Sequence, residues 1–121
     1  MAIFYCEATK ADINELVRLR IAYMVDDFGN VSDYEKECME RQLPDYFARK
    51  LGDELIAFIA KDGDKIVSVA YLHIIEMPAN SVLLNGIYGK VLSVYTEPQY
   101  RGKGLCTQLI KKLLEYGKKE V

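Results

Sequence analysis

The chain changes its hydrophobic period several times, and each change marks an element. Ile3 to Ala8 is a short apolar run rich in β-formers and predicts a first strand. Thr9, followed three residues later by Asp12, predicts a helix start with an approximate capping box. Ile13, Leu16, Val17 and Met24 then fall close to one helical face, and Gly29-Asn30 closes that helix at about Phe28. Ser32 or Asp33 caps a second helix, with Met39, Leu43, Tyr46 and Phe47 as its apolar stripe and Gly52 as its stop. Pro44 lies within it and is expected to kink or divide it, because proline removes an interior hydrogen bond and clashes one turn back.

From Leu55 the period is that of strands. Leu55–Ala60 and Ile66–Leu72 are expected to form a hairpin around Asp62-Gly63-Asp64. Met77-Pro78-Ala79-Asn80 and Asn85-Gly86 mark an irregular connection. Gly89 to Thr96 predicts a fourth strand, apolar on both faces and therefore expected inside the sheet. Pro98 ends it. The last element is a helix with Leu105, Leu109, Ile110, Leu113 and Leu114 inward, and Lys111, Lys112, Glu115, Lys118 and Lys119 outward. The order β-α-α-β-β-β-α defines an α/β or α+β domain with a mixed sheet, and residues 1–121 read as one domain without repeats or linkers.

Composition narrows the partners. The 121 residues are half apolar and carry a net charge of −2, a globular balance. A pI near 5.4 argues against a nucleic-acid binder. No apolar stretch approaches the roughly 20 residues of a membrane span, and the first residues show no basic leader before an apolar run. Cys6, Cys38 and Cys106 are odd in number, scattered, and form no metal-spaced cluster with the single histidine, His73. Reduced thiols, a cytoplasmic setting and no metal are the expectation.

The chemistry concentrates between Val94 and Thr107. A buried strand runs through Glu97-Pro98-Gln99-Tyr100 into Arg101-Gly102-Lys103-Gly104 and then directly into an amphipathic helix. Such a turn is an anion cradle: glycines admit a ligand to the backbone, and a helix N-terminus presents unpaired N–H groups and positive dipole. Arg101 and Lys103 add charge suited to phosphate oxygens. The spacing fits neither a Walker loop nor a dinucleotide fingerprint, the latter needing an acidic residue about 20 residues further on. Alone, two glycines before a helix are equally compatible with a plain structural turn.

The run Arg101-Gly102-Lys103-Gly104-Leu105-Cys106 resembles the acetyl-CoA signature of the GNAT superfamily of N-acetyltransferases, and the order of elements resembles the first two-thirds of that fold. Arg101, Gly104 and Cys106 occupy the three motif positions; Cys106 departs from the usual Gly or Ala but is small. The resemblance implies a GNAT-like acyl-CoA N-acyltransferase fold and transfer of an acetyl group from acetyl-CoA to a small-molecule or protein amine. It also implies that backbone groups of Val94 and Thr96 bind the pantetheine amides. Backbone N–H groups of Gly102, Lys103, Gly104, Leu105, Cys106 and Thr107 would then hold the pyrophosphate, with Arg101 beside them. Direct attack by a neutral amine on the thioester needs proximity, a route for the amine proton and polarisation of the carbonyl.

The remaining candidates are weighed against plainer roles. His73, on a strand among apolar neighbours, is expected to be a satisfied structural histidine. Cys106 sits at a helix start, where a nucleophile is conceivable, yet the motif explains it as a small residue. Asp26-Asp27-Phe28 would suit a cationic amine or form a solvated helix end, and Glu76 and Glu97 are equal candidates for relaying a proton. The family continues beyond the position of Val121 with a fifth strand and further elements, roughly 30 residues at average lengths. These usually carry a tyrosine that protonates the leaving thiolate, and none of the nine tyrosines here takes that place. A fragment, or a chain completed by a partner, is therefore expected, together with a homodimer formed through the fourth strand's open edge. A non-catalytic CoA-binding or self-associating module is the alternative function.

Overall fold

The computed structural model describes residues 2–120. Strand β1 (Ile3–Glu7) leads through a 3₁₀ turn at Lys10–Asp12 into helix α1 (Ile13–Phe28). Helix α2 (Asp33–Lys50) follows, then strands β2 (Leu55–Asp62), β3 (Lys65–Glu76) and β4 (Ile87–Thr96), a 3₁₀ turn at Pro98–Tyr100, and helix α3 (Leu105–Glu120). The strands lie in the order β1-β2-β3-β4, and all three pairings are antiparallel. The result is an α+β domain.

Local chemistry accounts for the boundaries. The Thr9 hydroxyl accepts from the Ala11 N–H at 3.3 Å, and the Asp12 carboxylate accepts from the Thr9 N–H at 2.9 Å. Ser32, not Asp33, caps α2. Its hydroxyl accepts from the Glu35 N–H and the Glu35 carboxylate accepts from the Ser32 N–H, each at 3.1 Å, a reciprocal capping box. Pro44 does not divide α2, which runs on through Lys50. Leu43 and Phe47, on either side of it, are buried, and their packing offsets the lost hydrogen bond.

Two cores flank the sheet. On one face Leu16 and Leu19 of α1 and Leu43 and Phe47 of α2 pack against Leu55, Ala57, Ile59, Val69, Tyr71 and Tyr95. On the other, Leu109 and Leu113 of α3 cover Ile56, Ala70 and Leu72, while Leu105 covers Ala60 and Val67. Burial on both faces explains the continuous apolar runs of β2 and β3. Each fully buried Leu or Ile contributes roughly 1.5–3 kcal/mol.

Three expectations are corrected. Leu114 is 56% exposed and Ile110 only half-buried; the stripe is the i, i+4 row 105, 109, 113, and residue 114 sits about 100° round the helix. Strand β3 runs four residues past Leu72, because antiparallel pairing with β4 continues to Glu76 opposite Ile87. Strand β4 lies at the sheet edge among the described residues, leaving Val91 and Leu92 41% and 42% exposed. Among the described residues only its end is covered from both sides, Val94 packing toward α3 and Tyr95 toward α1 and α2.

Strand β4 also carries a bulge. Ala70 pairs with Val94 and Leu72 with Val91, so Leu92 and Ser93 together oppose Tyr71. An extra residue reverses the alternation of faces. It puts Leu92 and Ser93 on the α1/α2 side, just before the strand reaches the Arg101–Gly104 turn.

Candidate functional site

The end of β4 is fastened from three directions. The Ser68 hydroxyl, fully buried, donates to the Tyr95 carbonyl at 3.1 Å or shares a 2.7 Å hydrogen bond with the Thr96 hydroxyl. The Glu97 N–H donates to the Val67 carbonyl. The Glu97 carboxylate, 7% exposed as a residue, accepts from Arg18 of α1 at 2.7 Å and from the Lys65 ammonium at 3.2 Å. Arg18 also holds Glu15 at 2.7 Å, and that hydrogen bond keeps the Glu15 carboxyl below its ordinary range. Glu97 thus serves as an anchor, and Glu76 lies exposed at the opposite end of the sheet. Neither lines the cleft described next.

Beyond Thr96 the chain turns through Tyr100, whose hydroxyl donates to the Asp62 carboxylate; this bond raises the phenol above its ordinary range. Gly102 and Gly104 adopt φ of 77° and 80°. Non-glycine residues are strained there, so the motif glycines are required by the backbone itself. In the first helical bond of α3 the Gln108 N–H donates to the Gly104 carbonyl at 3.2 Å. Gly104 is therefore the N-cap, and having no side chain it offers no oxygen to the N–H groups of Leu105, Cys106 and Thr107. These donors remain available to an anion.

The turn, the end of β4 and the last turns of α1 enclose a cleft of about 380 Å³. Helix α1 contributes Tyr23, Asp26 and Asp27; β4 contributes Val94, Tyr95 and Thr96; Tyr100, Arg101, Gly102, Gly104, Leu105 and Cys106 complete it. Arg101 spans it. Its Nε donates to the Thr96 carbonyl at 2.8 Å, its Nη2 pairs with Asp26 at 2.7 Å, and its guanidinium lies 5.6 Å from the centre of the Tyr95 ring. The Asp26 partner raises the guanidinium further above its ordinary value.

The structure thus brings together Val94, Thr96, Arg101, Gly102, Gly104, Leu105 and Cys106. It leaves Lys103 and Thr107 outside the lining, with the Lys103 ammonium 5.7 Å over the Tyr100 ring. Tyr23, Tyr95 and Tyr100 were not singled out from the sequence. Tyr23 lies one turn after Arg20 on α1, but nothing in the linear pattern says that this turn meets β4. His73 is half-buried on β3 with no hydrogen bond to its ring among the described residues, so it is not the satisfied core histidine expected. It lies beside Asp53 and Glu54, away from the cleft, because β3 outruns the core at that end.

Among the described residues, no group of three or more His, Cys, Asp or Glu is placed to hold a metal ion, and no helix is long and apolar enough to cross a membrane. The family profile of the acetyltransferase (GNAT) family matches residues 16–120. The chain belongs to this family of acetyltransferases. It is similar to a predicted acetyltransferase from Clostridium acetobutylicum solved with acetyl-CoA, at 29% identity and a TM-score of 0.83, over 98% of this chain and 75% of that one. A GCN5-related N-acetyltransferase from Ralstonia eutropha JMP134 superposes with a TM-score of 0.81 at 19% identity, over 99% of this chain and 79% of the other. A ribosomal-protein-alanine N-acetyltransferase from Brucella melitensis biovar Abortus 2308 shares the fold at 0.68 and 19% identity, over 98% and 74%. No curated protein matches the chain.

Proposed function

We propose that this protein transfers an acetyl group from acetyl-CoA to an amine, with the acetyl donor in the cleft between β4 and α3. The observation that carries the reading is the uncapped N-terminus of α3, where Gly104, Leu105 and Cys106 line the cleft. Its N–H donors and the two glycine turns fit a pyrophosphate, and the similar Clostridium acetobutylicum protein was solved with acetyl-CoA. Backbone groups of Gly102 through Thr107 then hold phosphate oxygens, and the open edge of β4 at Val94 and Thr96 meets the pantetheine amides. Arg101 already occupies one lone pair of the Thr96 carbonyl, so Thr96 contributes its remaining lone pair or its N–H.

The acceptor, a small-molecule or protein amine, enters beside α1. Asp27 lines the cleft and has no ion-pair partner among the described residues, so it offers a negative charge to an incoming ammonium. In the reaction the neutral amine attacks the thioester carbonyl, the C–S bond breaks, and the amine proton leaves as the thiolate is protonated. What these residues supply is proximity and a polar rim. A cytoplasmic setting, supported by three free thiols, and a homodimer through the exposed β4 edge belong to the same proposal.

Two measurements test it. Calorimetry should show CoA binding by the intact chain, and acetyl-CoA with a panel of amines should release free thiol. A folded chain that binds no CoA refutes the site, and one that binds CoA without releasing thiol is a binding module instead.

A further inference from the structure

A second cavity, of about 170 Å³, lies on the α1/α2 side of the sheet, one turn of α1 away from the cleft. Its walls are aromatic and apolar: Tyr46 and Phe47 from α2, Tyr71 from β3 and Leu92 from β4, with Gln42 and Arg20 as polar members. The β4 bulge builds it. By turning both Leu92 and Ser93 toward α1, the bulge sets Leu92 in the wall and places the Ser93 hydroxyl 3.2 Å from Arg20. The next residue, Val94, already lines the cleft, as does Tyr23, whose ring lies 5.4 Å from the Arg20 guanidinium. Arg20 therefore stands at the boundary between the two spaces.

Two polar groups here lack the partners such groups normally have. The Tyr71 hydroxyl is buried and makes no hydrogen bond among the described residues, in a side chain only 4% exposed as a residue. Burial pushes this phenol well above its ordinary range, and Arg20 and Tyr46, both in the cavity wall, act on it electrostatically. Buried hydroxyls are almost always paired, so an orphan beside a cavity points to a missing polar atom. Arg20, half-buried, has five N–H donors, yet its only hydrogen bond among the described residues is to Ser93, and no carboxylate pairs with it. By contrast, Arg18, Arg49 and Arg101 each hold a carboxylate within 3 Å.

We infer that this cavity is the acceptor subsite and that it selects an amine bearing a carboxylate and an apolar side chain, an apolar amino acid in its simplest form. The inference rests on the acetyl-transfer reading above. The carboxylate pairs with Arg20, the apolar side chain enters between Tyr46, Phe47 and Leu92, and the amine is left toward the cleft where Asp27 lies. A carboxylate oxygen or a water held by it supplies the partner the Tyr71 hydroxyl lacks. The size agrees: a dry cavity of about 150 Å³ holds benzene, so 170 Å³ accommodates a leucine or phenylalanine side chain.

The test is calorimetry on the intact chain saturated with CoA, using L-phenylalanine and L-leucine against phenethylamine and isopentylamine, which lack the carboxylate. The amino acids should bind about tenfold or more tightly than their decarboxylated counterparts, the value of one charged hydrogen-bonded pair. Arg20→Gln should abolish that difference and Arg20→Lys should retain part of it. Tyr71→Phe is the sharper probe. It should weaken the amino acids several-fold, while the melting temperature of the ligand-free protein holds or rises, because an unpaired buried hydroxyl is removed. A purely structural hydroxyl would do the reverse, lowering the melting temperature and leaving affinity unchanged, and that result overturns the inference. So does equal binding of amines with and without the carboxylate, or CoA binding with no affinity for any of the four. Amino-acid binding by a chain that does not bind CoA would instead refute the cosubstrate reading and leave this subsite standing.

Discussion

Arg101 and Asp26 are 75 residues apart in sequence and joined by a 2.7 Å ion pair across the mouth of the cleft. The same guanidinium holds the Thr96 carbonyl and lies against Tyr95. A motif arginine thus ties the end of α1 to the end of β4, shaping the opening and setting its width. Lysine has one donor group and no planar face, and cannot make all three contacts. Arg101→Lys should therefore raise the CoA dissociation constant several-fold. Because the pair is exposed and screened by solvent, stability should hardly change. Calorimetry and thermal melting on one sample separate the two effects.

Gly104 supplies both a positive φ and an empty N-cap. A Cβ built there meets nothing within 4 Å, so the penalty of Gly104→Ala is backbone strain, about 1–2 kcal/mol. The added methyl sits in a residue that lines the cleft, and CoA affinity should drop by more than this strain explains. Unchanged affinity in the folded variant would show that the phosphate lies elsewhere.

Glu97→Gln tests the anchor. The variant loses a nearly buried carboxylate that Arg18 and Lys65 share. Their side chains are 41% and 48% exposed, so solvent screens the loss, and a destabilisation of about 1–2 kcal/mol is expected in chemical denaturation. CoA affinity should fall with it, since the turn at 98–104 hangs from this residue. A variant as stable as the parent contradicts the anchoring role.

Acid should unfold the protein in part through Glu15 and Glu35. Both carboxyls are held below the ordinary glutamate range of about 4, Glu15 chiefly by the Arg18 hydrogen bond and Glu35 chiefly by the Ser32 N–H. A depressed folded-state value means stability present above the unfolded value and lost as pH falls through the folded one. Melting temperature should accordingly decline below about pH 4, and less steeply in Glu15→Gln than in the parent. Parallel acid limbs would remove Glu15 from the account.

The proposed homodimer rests on the edge of β4, where Val91 and Leu92 are each about two-fifths exposed among the described residues. Light scattering on the 121-residue chain at micromolar concentration should show self-association, and a charged substitution such as Val91→Lys should reduce it. A strictly monomeric 13.8 kDa species would contradict the dimer.

Periodicity and capping residues by themselves determined which elements form and in what order, though not how far β3 and β4 run. Thr9 with Asp12, Ser32 with Glu35, Gly29 and Pro98 act on backbone within a few positions, so their effect is written locally and could be read there. The turn at Arg101-Gly102-Lys103-Gly104-Leu105-Cys106 was legible for the same reason, since its positive φ angles and helix start depend on immediate neighbours, whereas its reading as an acetyl-CoA site came from the resemblance. Tertiary structure alone decided where β4 lies, because apolar faces on both sides of a strand report helices as readily as strands. It alone decided that Glu97 is an anchor and that Asp26 meets Arg101, since these pairings close loops of about 80 residues that no local signal encodes. The two-against-one pairing of Leu92 and Ser93 with Tyr71 was likewise invisible in the sequence. A bulge is a property of register between two strands, and register is set only when both faces of the sheet have found their helices.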